Sequence, residues 1–258
     1  MDKQEKIRRI KEFRLIDDVF FEEFAKDIPA CQEILRTILE DTKLIVNDII
    51  VQSSERNLYG RSVRLDALCT LGDGSLCNVE VQRADNDNHL KRARFNAASI
   101  TVKESEPGTN FDKVKDVYIV YISEKDFLSG GFTTYHIDKV IRENGVTVDD
   151  GLHEIFVNTS VNDGSSIAEL MQCFKQKELN SSKFKAVTRR FKEIKETEGG
   201  LTAMCKNMDD IVKEERREER IKMLTKMLSR GYSKEDILEL GYTKEEYEEA
   251  ERQLSVTI

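Results

Sequence analysis

The 258-residue sequence predicts an α/β fold with a helical end, on three observations. The block "RLDALCTLGDGSLCNVEVQ" (64–82) reads as two strands around a tight turn. "KVKDVYIVYIS" (113–123) is a nearly continuous apolar run of strand length, the pattern of a strand covered on both faces. Helical periodicity precedes the first block and takes over after Ser165. Composition is compatible: 39% hydrophobic and 35% charged residues are polar for a globular protein but enough for a core. The length suits one domain with a helical appendage.

Taken in chain order, "DDVFFEEFAKD" (17–27) places Val19, Phe20 and Phe24 near one face of a short helix, with Asp17 or Asp18 as its N-cap. "PACQEILRTILE" follows, with Pro29 at the first helical position and Ile34, Leu35, Ile38 and Leu39 as its buried stripe. "KLIVNDIIVQ" (43–52) is rich in β-branched residues and predicts the first strand. After the hairpin, capping residues at Asp85 to Asn88 open a helix whose apolar positions are Leu90, Ala93, Ala97 and Ile100. "FTTYHI" and "HEIFVNTS" predict further strands. "SIAELMQCFKQKE", "KFKAVTRRFKEIKE" and the charged stretch to Arg230 are helical in pattern. "SKEDILELGYTKEEYEEAERQL" predicts two short helices, each opened by Ser or Thr with Glu two or three residues on, separated by Gly241. The expected division is a core at 1–165 and a helical region at 166–258, whose last part, 231–258, is an acidic two-helix tail.

Several function classes are disfavoured at once. No apolar run approaches the ~20 residues that cross a bilayer, and "MDKQEKIRRIKEF" has no apolar stretch of signal-peptide type; a cytoplasmic protein with no membrane partner is expected. The net charge of −8 argues against a wholly basic surface, so a nucleic acid would have to meet a local basic patch. The tail 231–254 holds eight Asp or Glu against three Lys or Arg, a balance that a phosphate backbone repels, which favours packing or self-association there. The five cysteines show no zinc-ligand spacing and read as reduced, mostly buried thiols; Cys69 and Cys77 flank the hairpin turn and face each other as core residues.

The hairpin carries the chemistry. Val63, Leu65, Ala67, Cys69 and Leu71 share one face of its first strand, and Cys77, Val79 and Val81 one face of its second. Both odd-numbered sets point to the core only if paired residue numbers sum to an even value. A three-residue loop Gly72-Asp73-Gly74, with Gly74 in the left-handed region, gives 146. Asp66 then lies directly across from Glu80, on a face with Arg64, Leu68, Thr70, Leu76, Asn78 and Gln82. Facing carboxylates repel. A divalent cation would relieve them, and a hard ion such as Mg²⁺ takes converging carboxylate oxygens and serves phosphate chemistry. The plain alternative is two solvated acids on the wet face of a hairpin.

An Asp on one strand, then Glu-x-Gln on the next and an Arg-bearing helix after it, resembles the PD-(D/E)XK nuclease superfamily, and more closely its recombination-promoting nuclease and transposase group. The resemblance rests on "DDVFF", "RSVRLDA", "GDGSLCNVEVQ", "KRARF", "DVYIVYIS", "IFVNTS" and "MCKNMDD" to "EERREER", and spans about residues 16–230. It implies a restriction-endonuclease-like mixed central sheet flanked by helices, with a helical C-terminal extension. It implies Asp66, Glu80 and the Val81 carbonyl as ligands of Mg²⁺, with Mn²⁺ as a substitute, and DNA as partner. Gln82 stands where the superfamily has lysine; glutamine can orient the attacking water but supplies no positive charge. Arg83, Lys91, Arg92 and Arg94 are the substrate-binding candidates that would compensate. On a helix Lys91 and Arg94 share a face, and Arg92 is turned away from it. The superfamily's extra acidic residue from the first helix would be Asp18 or Glu22. Phe95-Asn96 departs from the tyrosine-containing pair usual in the group. His89, His136 and His153 have no mutual ligand spacing and are expected in solvent or hydrogen-bonding roles.

The expected activity is therefore a Mg²⁺-dependent DNA endonuclease with Asp66, Glu80 and Gln82 at its centre, and a homo-oligomer through the C-terminal helices. Two rival readings are a catalytically silent nuclease fold that binds nucleic acid or regulates, and an assembly protein driven by its helical tail.

Overall fold

The computed structural model describes residues 2–56, 62–83, 88–105, 108 and 110–255. Asp85, Asn86 and Asp87, expected as capping residues, lie outside them; Asn88 caps the following helix by accepting from the Lys91 N–H at 3.0 Å. Strand β1 (Val46–Arg56) starts later than the apolar pattern because Asp41 accepts the Lys43 N–H and holds a turn just before it. β2 (Ser62–Leu71) and β3 (Leu76–Gln82) pair antiparallel through Thr70↔Leu76, Cys69↔Cys77, Leu68↔Asn78 and Ala67↔Val79, every pair summing to 146. Gly74 has φ +88°, the left-handed backbone that the turn demands.

From β3 the chain crosses through α4 (His89–Glu104) to β4 (Val117–Ser123), which lies parallel to β3 and to β8 (Leu152–Asn158). Parallel neighbours need such a crossover. β5 (Thr134–Ile137) runs antiparallel on the far side of β8, so the sheet order is β1-β2-β3-β4-β8-β5 and the sheet is mixed. β6 (Lys139–Val140) and β7 (Thr147–Val148) form a separate two-stranded ribbon. The continuous apolar run of β4 is explained by its place between two parallel strands with cover on both faces.

The helices before the sheet are α1 (Lys3–Glu12), α2 (Asp18–Phe24) and α3 (Ile28–Ile38). α2 is buried further round than one face: Phe21, Glu22 and Glu23 are enclosed with Phe20 and Phe24, while Val19 is only half-buried. The enclosing side chains come from α5 (Ser166–Phe174) and α6 (Lys185–Glu196): the Phe20 and Phe191 rings lie 5.2 Å apart, and those of Phe21 and Phe174 6.3 Å. α3 begins one residue before Pro29, capped by Asp27, and Leu39 is its half-buried C-cap. Leu90 on α4 is exposed, not part of its buried stripe; His89, Asn96, Ala93, Ala97 and Ile100 form that stripe instead.

The chain divides into two compact units, Met1–Glu55 with Arg64–Cys205, and Arg56–Val63 with Lys206–Ile258. Helix α7 (Glu198–Ser229) is followed by α8 (Lys234–Glu239) and α9 (Lys244–Ser255). Ser233 and Asp236 form a reciprocal capping box on α8, the acid being Asp236 and not Glu235; Thr243 and Glu246 exchange the same two bonds at the start of α9. Ile221 and Leu224 of α7 pack with Ile237, Tyr247 and Ala250, so part of the apolar surface of the short helices is buried on α7. Among the described residues no helix is long and apolar enough to cross a membrane.

Candidate active site

Beyond Ala67↔Val79 the main-chain ladder gives way to side chains. The Val81 N–H donates to Asp66 Oδ2 at 2.9 Å, and the Asp66 N–H to Glu80 Oε1 at 3.4 Å. The two carboxylates thus sit side by side, each tied to the other's strand. Their face of the hairpin is covered: Asp66 is 8% exposed, Glu80 1% and Asn78 0%. That removes the reading of solvated acids on a wet face: α4 packs on the neighbouring strand β4 and sends Arg92 and Asn96 to Glu80 and Asn78. Burial, then the Glu80 charge, pushes the Asp66 carboxyl well above its usual range. Burial also raises Glu80, against the opposing pull of the Arg92 guanidinium.

Arg92 is the basic residue that α4 turns inward. Its Nη1 donates to Gln82 Oε1 at 3.1 Å and its Nη2 lies 3.5 Å from Glu80 Oε2. Helical spacing accounts for the selection: Lys91 and Arg94 share an exposed face from which Arg92 is turned away. Arg83 points along another path. Its Nη1 pairs with Asp17 Oδ1 at 3.0 Å and its Nε lies 3.5 Å from Glu124 Oε2, while Arg14 joins the same two acids. Asp17 consequently accepts from the Arg14 N–H and makes no cap bond to α2. The Glu124 N–H donates to the Gln82 carbonyl, so this ion network abuts the end of β3.

Of the two first-helix acids, Glu22 is buried and its charge raises Asp66 further, whereas Asp18 is exposed and accepts its neighbour Val19's N–H. Among the described residues no three His, Cys, Asp or Glu side chains form a ready-made cation cluster. The donor set is narrower: two adjacent buried carboxylates. Their chemistry fits a hard divalent cation, since such an ion offsets the burial that, joined at Asp66 by the Glu80 charge, otherwise favours the protonated acids.

The family model described as PD-(D/E)XK nuclease family transposase matches residues 16–230. The chain belongs to this family. Asp66, Glu80, Gln82 and Arg92 all fall inside the matched span, and the tail from Gly231 falls outside it. Family membership points to a nuclease-type hydrolase acting on nucleic acid. No curated protein and no solved structure matches the chain.

Sequence reasoning missed two parts of this candidate site. Asn78 donates to Glu80 and is backed by Asn96; His89, by contrast, takes the hydrogen-bonding role expected of it, its Nδ1 lying 2.9 Å from the Tyr121 hydroxyl. One signal was available: Asn96 interrupts the apolar stripe of α4 between Ala93 and Ala97. Nothing local marked Arg14, Asp17 and Glu124 as partners, because Arg14 and Glu124 are 110 residues apart.

Proposed function

We propose that the protein is a divalent-metal-dependent DNA endonuclease of the transposase-related type, hydrolysing phosphodiester bonds. The observation that carries this reading is the buried Asp66–Glu80 pair with Arg92 reaching both Glu80 and Gln82. Asp66, Glu80 and the main-chain carbonyl of Val81 would hold Mg²⁺, or Mn²⁺ in its place; when bound, such an ion supplies Lewis-acid stabilisation and a more acidic water. Gln82 orients the attacking water through its amide. Arg92 delivers in space the positive charge that glutamine lacks in sequence, next to where negative charge grows on the scissile phosphate. Lys91 and Arg94 are assigned to flanking phosphates, with Arg83 joining them through the exposed part of a guanidinium that Asp17 and Glu124 also hold; with a net charge of −8, binding depends on such local cations and should weaken with added salt.

Gln82 in the lysine position favours a second reading, a nuclease fold that binds nucleic acid without cutting it. Self-association through the C-terminal helices also stays a proposal, supported by the exposed side chains of Met223, Tyr232, Leu238 and Leu240. Plasmid cleavage with Mg²⁺ or Mn²⁺ separates cutting from binding. Wild type should nick or linearise DNA only with metal, and Asp66→Ala and Glu80→Ala should each abolish cleavage while keeping the circular-dichroism spectrum. Full activity in excess EDTA, or in either variant, overturns the mechanism; binding without cleavage in every metal establishes the second reading.

A further inference from the structure

Two buried asparagines behind Glu80 have no role in the chemistry so far described. Asn78 is fully enclosed and Asn96 is 2% exposed. A buried amide is costly unless its donors and acceptor are matched, and a packed apolar residue would serve a strand or helix core equally well. The bonds these amides make run in one direction. Asn96 Nδ2 donates to Asn78 Oδ1 at 3.4 Å, which fixes the way the Asn78 amide faces. Asn78 Nδ2 is thereby aimed at Glu80 Oε1, 3.1 Å away, and at the Ala67 carbonyl, 3.3 Å away. Glu80 Oε1 also accepts the Asp66 N–H. Two donors therefore hold Oε1 against the sheet, while Oε2 is the oxygen on the Arg92 side.

We propose that Asn96 and Asn78 form a positioning relay that fixes the Glu80 carboxylate by holding Oε1, so that the acid would meet a cation in a preset orientation; the proposal rests on the metal-dependent reading above. Neither asparagine touches substrate or metal. They act through Glu80, as hydrogen-bonded outer groups do when they orient a ligating carboxylate. The relay joins β3 to α4, the helix that also carries Arg92, so one pair of side chains couples the orientation of the acid to the placement of its cationic neighbour.

The test is Mn²⁺ affinity of the full-length protein, measured by titration calorimetry on wild type, Asn78→Leu and the double variant Asn78→Leu/Asn96→Leu, with melting curves in EDTA for each. The double variant removes both polar partners together, which leaves less unpaired than either single change and keeps the fold accessible if Asn78→Leu alone is too unstable. Expected is a Mn²⁺ dissociation constant raised about 10–100-fold in every folded variant, with the double variant no worse than Asn78→Leu because the two residues act in series. Wild-type Mn²⁺ affinity in a folded double variant, whatever its melting temperature, would reduce the asparagines to a structural role and overturn the relay. Absence of Mn²⁺ binding by wild type would instead overturn the metal-dependent reading, and the relay with it.

Discussion

Arg92 is where the site departs most from a pattern read along the chain, since it brings a guanidinium to within 3.5 Å of Glu80 and to Gln82 without being adjacent to either in sequence. If its charge does the work of the missing lysine, Arg92→Gln should lower the cleavage rate on the order of a hundredfold, the scale seen when one preorganised transition-state donor is lost. Gln82→Lys should restore part of that loss in the Arg92→Gln background, because it returns a cation to the same corner of the site. Single-turnover cleavage rates of the two single variants and the double variant decide this. An Arg92→Gln enzyme at the wild-type rate, or no recovery in the double variant, would detach the charge from the chemistry.

At the scale of elements, the junction of α6 and α7 places two neighbouring glycines in opposite situations. A Cβ at Gly200 would stand 2.1 Å from the Glu193 carbonyl oxygen and 2.6 Å from Ile194 Cα, whereas a Cβ at Gly199 meets nothing within 4 Å. Gly200→Ala must therefore push main chain apart, at about 1–3 kcal/mol. Gly199→Ala adds helix propensity worth up to about 1 kcal/mol. The two alanine variants should melt on opposite sides of wild type in the same calorimetric scan; a neutral Gly200→Ala would show that the junction has room.

The contact between α7 and α9 gives a pH dependence. Arg220 Nε and Nη2 grip Glu246 Oε1 and Oε2 at 2.6 and 2.9 Å. The hydrogen bond from Arg220 leads the causes that hold the Glu246 carboxyl down at about 2, against an ordinary value of 4.5. The unfolded chain therefore binds the proton first as pH falls. Stability from this pair is fully present above about 4.5 and is lost as pH drops towards about 2. The pair is partly exposed, so its worth is about 1 kcal/mol or less. Melting curves of wild type and Arg220→Ala should differ by a constant amount from pH 7 to 5 and converge below that; a gap that widens in acid would mean that the pair is not what is lost.

For the whole molecule, the short helices α8 and α9 serve α7 first. Deleting residues 231–258 uncovers Ile221 and Leu224, both buried in the intact chain, together with Met227 and Leu228 that pack beside them. The sheet and its acid pair lie in the other unit, Met1–Glu55 with Arg64–Cys205. The truncated chain is expected to keep its β-sheet signature and its cleavage activity while self-associating through the bared face of α7, read by sedimentation velocity. A truncated chain that stays monomeric but loses DNA binding would make the acidic tail part of the nucleic-acid surface.

Sequence alone determined the local geometry of the hairpin. Alternation from Leu65 to Val81 and a glycine able to take φ +88° leave one register, and it runs through all the pairs from Ala67↔Val79 to Thr70↔Leu76. It also determined β4 as a strand covered on both faces, because its run is apolar without alternation. Only the tertiary structure decided the environment of the acids. That Glu80 is buried, that Arg92 and not Lys91 or Arg94 answers it, that Arg83 is drawn to Asp17 and Glu124, and that Asn78 is backed by Asn96 all follow from where α4 and the segment before α2 settle on the sheet. Those placements depend on parallel pairing across long connections, Leu76↔Val117 through α4 and then Val117↔Leu152 through β5 to β7. Local periodicity carries no record of such pairing: it reports which face of an element is apolar, and the partner that covers the face is chosen by packing between segments far apart in the chain.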